Sequence, residues 1–120
     1  MAIETVYFGD RGASGGGTDT VVSVTVNGTI NSVYDVSVVY ADSDQTDHGV
    51  EFKNASGNTA YFRVWVGNIS GPWAISGKAT ISHSGTGGGA TSNPPWVSPT
   101  SEGCTTNYNP WPCTGFCAAV

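Results

Sequence analysis

Thr59-Ala60-Tyr61-Phe62-Arg63-Val64-Trp65-Val66-Gly67 is the stretch whose reading decides how this chain folds. Its even positions, Ala60, Phe62, Val64 and Val66, are all apolar, which is the period-two pattern of a strand with a buried face. A helix would scatter the same residues around its circumference. The odd positions put Tyr61, Arg63 and Trp65 on the opposite face, and such large side chains call for a cover: a second protein layer, a partner or a ligand.

The same period recurs on both sides of this strand. Downstream, after a turn at Asn68 to Pro72, Trp73 to His83 alternates throughout. Trp73, Ile75, Gly77, Ala79 and Ile81 are expected inside, and Ala74, Ser76, Lys78, Thr80 and Ser82 in water. Upstream, Val50 to Lys53 reads as a short strand closed by a turn over Asn54 to Asn58. Before it, Tyr34, Val36, Val38 and Tyr40 alternate with Asp35, Ser37 and Val39 in a strand ending at Ala41. Thr20 to Val26 presents Val22, Val24 and Val26 on one face, and Asn27-Gly28 after it reads as a two-residue hairpin turn. That turn would set Val24 opposite Asn31, a polar amide on an apolar face, so an irregularity is expected near Asn31. Ile3 to Phe8 is apolar at both parities and reads as a strand covered on both sides, while the glycine-rich Gly9 to Asp19 reads as a loop.

About seven short strands with no helical period anywhere predict an all-β chain, a single antiparallel β-sandwich of jelly-roll-like form, with a small closed barrel as the alternative. The sandwich is expected over residues 1–84. Residues 85–120 open on Gly85-Thr-Gly-Gly-Gly89 and hold five of the six prolines and all the cysteines. This segment reads as an extended Gly/Pro/Trp/Cys-rich tail, lying on the sandwich or on a neighbouring subunit.

Composition narrows the partners. The chain has 120 residues, enough for one modest core, and only 11% are charged, so the polar surface must come from Ser, Thr, Asn and Gly. That pattern suits an extracellular, cell-surface or virion setting. Nine acidic against four basic residues give a formal charge of -5, too few cations to neutralise a run of phosphates, which argues against nucleic acid. No apolar run reaches membrane-span length, and the N-terminus shows no signal-peptide pattern.

Chemistry-bearing residues are few. His48 and His83 sit beside no nucleophile elbow or paired-carboxylate motif, and the glycines of Gly9 to Gly17 precede a strand instead of the helix that a phosphate cradle needs, so no enzymatic role is expected. Asp42, Asp44 and Asp47 share one turn-rich loop that lacks the glycine and closing glutamate of an EF-hand; the alternatives are a calcium site of another kind and a solvated acidic turn. Cys104, Cys113 and Cys117 lie in a segment without Lys or Arg to lower a thiol pKa, so they read as disulfide partners of unknown pairing. Asn27, Asn54 and Asn68 head glycosylation acceptor patterns, and the C-terminal Cys117-Ala-Ala-Val120 only superficially resembles a prenylation box.

Aromatic residues are the positive signal. Trp73, Trp96 and Trp111 each follow a proline, and Trp65 stands beside Tyr61 and Arg63. Sugar rings offer flat C–H faces edged by hydroxyls, so their sites combine an aromatic plate with charged or amide groups. The expected function is therefore a non-catalytic, lectin-like recognition module for glycans, with Tyr61, Arg63, Trp65, Trp96 and Trp111 as ligand-binding residues and no required cofactor. The alternatives are a self-assembling structural subunit of a virion, pilus, sheath or filament, in which other copies of the chain are the partners, and a small membrane-active β toxin. A homo-oligomer is expected.

Overall fold

A computed structural model describes residues 1–12, 16–42, 47–67 and 73–94, with the side chain of Asp42 excepted. These residues form seven strands: β1 (Ala2–Gly12), β2 (Thr18–Thr25), β3 (Ile30–Asp42), β4 (His48–Ser56), β5 (Thr59–Val66), β6 (Trp73–His83) and β7 (Thr91–Asn93). They make two antiparallel sheets, ordered β1-β6-β3 and β4-β5-β2-β7, whose inner faces pack together as a β-sandwich. No helix occurs among the described residues.

The alternation of β5 is what the packing requires. Ala60, Phe62 and Val64 are fully buried, and Phe62 stacks on Phe8 of the facing sheet with ring centroids 4.0 Å apart. Val22 and Val24 from β2, Val26 just after it, and Ile75, Ala79 and Ile81 from β6 complete the same core. Burying each such side chain contributes about 1.5–3 kcal/mol relative to leaving it exposed. Gly77 is small because Phe8 and Val50 fill the space its Cβ would need.

Several sequence expectations are corrected. Asn27-Gly28 is a bend but not a hairpin: β2 pairs with β5 and β7, whereas β3 pairs with β6, so the chain crosses between sheets there. Gly28 is required by close approach, since a Cβ there would collide with the backbone of Gly85. Asn27 clasps that loop, donating from Nδ2 to Thr86 Oγ1 and accepting at Oδ1 from Thr86 N, each at 3.0 Å. The irregularity near Asn31 is present, as a register shift between Ile30 and Ser32 against β6.

Further shifts after Tyr34 and Val38, with Asp35 at φ 53°, break the expected alternation of β3. Val33, Val36 and Ala41 turn toward the core, and Tyr34 and Val38 are exposed. β1 is covered on one face only: Val6 and Phe8 are buried while Ile3, Thr5 and Tyr7 are exposed. It continues to Gly12, and β2 begins at Thr18, so the expected loop from Gly9 to Asp19 is shorter. β4 likewise runs on to Ser56, leaving a tight turn at Gly57 and Asn58. On β6 the outward face is not wholly wet, because Ala74, Ser76 and Ser82 are buried on this central strand. Past Ser84 the chain adds β7 to the edge of β2, so residues 91–93 belong to the sheet.

Candidate functional site

The outer face of the four-stranded sheet is assembled by register. Trp65 lies between Asp19 of β2 and Gly49 of β4, and Arg63 between Val21 and Glu51. Opposed residues in an antiparallel pair share a face, so three carboxylates, one guanidinium and one indole converge: Asp47, just before β4, joins Asp19 and Glu51 there.

Arg63 is held on three sides. Its Nε and Nη2 donate to the two oxygens of Asp19, each at 2.9 Å, and its Nη1 lies 3.6 Å from Glu51 Oε1. The guanidinium carbon stands 4.3 Å from the centroid of Trp65, a cation–π contact. Trp65 is fixed as firmly. Its Nε1 donates to Asp47 Oδ1 at 3.1 Å, and its six-membered ring occupies the volume a Cβ on Gly49 would take. Asp47 is itself anchored by its carbonyl, which accepts from Gly67 N at 2.7 Å.

The fork from Arg63 holds the Asp19 carboxyl below its ordinary pKa, and Asp19 in turn raises that of Arg63. Because the pairs are exposed, they add little to stability. Their effect is orientation: the indole and the carboxylates keep one arrangement. An open cleft of about 400 Å³ lies over them, bordered by Thr18, Asp19, Asp47, Arg63, Trp65 and the end of β5.

Arg63 and Trp65 thus line one cleft. Tyr61 lies on the same face but further along β5, opposite Ser23 and Asn54, and does not border it. Trp96, Trp111, Cys104, Cys113, Cys117 and Asp44 lie outside the described residues, as does the side chain of Asp42. Asp47 serves the indole. Among the described residues no group of three metal-ligating side chains forms. Sequence reasoning missed Asp19 and Glu51: only the pairing of β2 and β4 with β5 brings them to Arg63, and local pattern carries no trace of that.

Two other features bear on function. His83 is fully buried and its Nε2 hydrogen-bonds Glu4, while its Nδ1 accepts from Gly85 N at 3.1 Å. A buried carboxylate–imidazole pair resembles half of a nucleophile-activating relay, but both ring nitrogens are taken, and none is left to receive a proton from a nucleophile. It is a clasp that ties the start of β1 to the end of β6. The second feature is a groove of about 440 Å³ between β1 and β7, lined by Val6, Tyr7, Val24 and Ala90 with hydroxyl-bearing neighbours and no charged side chain. No protein-family model, curated protein or solved structure matches this chain.

Proposed function

We propose that this protein is a non-catalytic recognition module that binds carbohydrate in the cleft above Trp65. The observation that carries the reading is the oriented set itself: a partly exposed indole beside two carboxyl groups, Asp19 and Asp47, each fixed by a hydrogen bond before any ligand arrives. Such a site offers a sugar an apolar surface for its C–H face and strong acceptors for its hydroxyls, with little ordering left to do on binding. Val21, 54% exposed beside Arg63, widens the apolar surface. The sparse charge and the Ser, Thr and Asn surface fit work outside a cell, on a cell surface or a virion.

The test is a glycan array probed with the native chain and with Trp65→Ala. The variant is expected to lose binding while keeping its fold, since Trp65 lies outside the core. Retained binding, or no glycan bound by the native chain, refutes the reading.

A second reading, a self-assembling structural subunit, is favoured by one specific observation. Edge strands are commonly protected by bulges, lysines, prolines or short length. β3 has three register shifts, β4 a bulge at Lys53, and β7 only three residues before Pro94. β1 runs eleven residues in unbroken register with neither Lys nor Pro, and it exposes Ile3 and Tyr7 beside the apolar groove.

A further inference from the structure

An arginine beside an indole in an open cleft ordinarily invites an anion, because its planar fork matches carboxylate and sulfate. Here the fork is already filled. Asp19 takes Nε and Nη2, and Glu51 sits against Nη1, so the donors best placed to grip an incoming carboxylate are directed at the protein's own. Asp47 adds a third carboxylate whose one hydrogen bond, from Trp65 Nε1, is the only one it receives among the described contacts of its side chain. Among the described residues the charges lining the cleft are Asp19 and Asp47 against Arg63, with Glu51 beside Arg63 and Lys53 near enough to act on Asp19. The cleft therefore leans negative within a chain of formal charge -5.

From this, and resting on the carbohydrate reading above, we propose that the cleft selects neutral and amine-bearing sugars and rejects uronates, sialates and sulfated sugars. Arg63 acts as a positioning residue for Trp65, not as an anion receptor. A hydroxyl or a protonated amine finds carboxylate acceptors beside the indole. An anionic sugar meets like charges and a guanidinium with its fork engaged, an arrangement that discriminates by repulsion as well as by attraction.

The experiment titrates the full chain with three hexasaccharides: cellohexaose (neutral), the glucosamine hexamer (cationic) and hexagalacturonate (anionic), at low salt and at about 1 M salt, where exposed charges are screened beyond about 3 Å. The neutral and cationic hexamers are expected to bind, and hexagalacturonate at least about tenfold more weakly at low salt, the cost of like-charge juxtaposition. That gap should narrow at high salt. Asp19→Asn with Glu51→Gln leaves Asp47 as the sole carboxylate near Arg63 among the described residues, and should raise hexagalacturonate affinity severalfold. Asp19→Asn alone, which keeps an oxygen acceptor for Arg63, is the second variant, with thermal melting to verify its fold. Equal binding of the neutral and anionic hexamers by the native chain overturns the charge selection and spares the carbohydrate reading. Unchanged hexagalacturonate affinity in both folded variants overturns it too. If none of the three binds, the carbohydrate reading falls and this inference with it.

Discussion

Trp65 shows how much of a site can depend on a residue with no side chain. Its ring fills the space above Gly49, so Gly49→Ala must push the indole off the sheet. Glycan affinity is expected to fall about as far as in Trp65→Ala, with the melting temperature less affected than by a core substitution; binding and melting of the variant check this. Acid should disarm the same site late. The pKa of Asp19 is lowered in the folded chain, chiefly by its hydrogen bonds from Arg63. Its contribution is therefore fully present above the ordinary value of about 3.9 and is lost as pH falls below that through the folded value. Glycan binding should persist through about pH 5 and fail only in stronger acid; an affinity already lost near neutrality would contradict this. Asp10 behaves in the opposite sense. Burial raises its pKa against the lowering effect of its hydrogen bond from Arg11 N, so stability is lost as pH rises through the folded value. Asp10→Asn, which keeps an acceptor for that N–H, is expected to stabilise the chain at neutral pH and to leave it unchanged near about pH 3, read by urea unfolding.

Individual strands differ in how far their own sequence discloses them, and the reason is position in the sheet. β5 and β6 are flanked on both sides, so their inward rows carry uninterrupted apolar residues and were legible in pattern alone. Phe62 is the clearest case: it joins the sheets through Phe8, and Phe62→Ala should cost about 3–5 kcal/mol of unfolding free energy, against little for Trp65→Ala. β3 was misread, because an edge strand tolerates bulges and each one moves the following side chains to the other face. The outward row of β6 was misread for a related reason. A central strand has neighbours on both sides, so small residues such as Ala74 and Ser76 are covered even where their face points away from the core.

At the scale of the whole molecule, the β-sandwich was legible and its pairing was not. The sequence shows strands but not partners: Asn27-Gly28 looks like a hairpin in isolation and proves to be a crossing between sheets, held by Thr86. Half of the candidate site was hidden by the same ignorance, since Asp19 and Glu51 reach Arg63 only through the order β4-β5-β2 in the four-stranded sheet. Association is the other whole-molecule question. If the β1 edge, which pairs with no further strand among the described residues, joins copies, Ile3→Lys should convert an assembly to single chains in light scattering; an unchanged mass would remove the support that this edge lends to a structural subunit.

The most direct measurement is an amide and indole nitrogen–proton correlation spectrum of the native chain titrated with cellohexaose. Binding in the cleft predicts that the Trp65 indole N–H, the Arg63 Nε–H and the amides of Asp19 and Asp47 shift together in one saturable curve. Saturable shifts confined to other surfaces, or none at all across neutral and amine-bearing hexasaccharides, would contradict it.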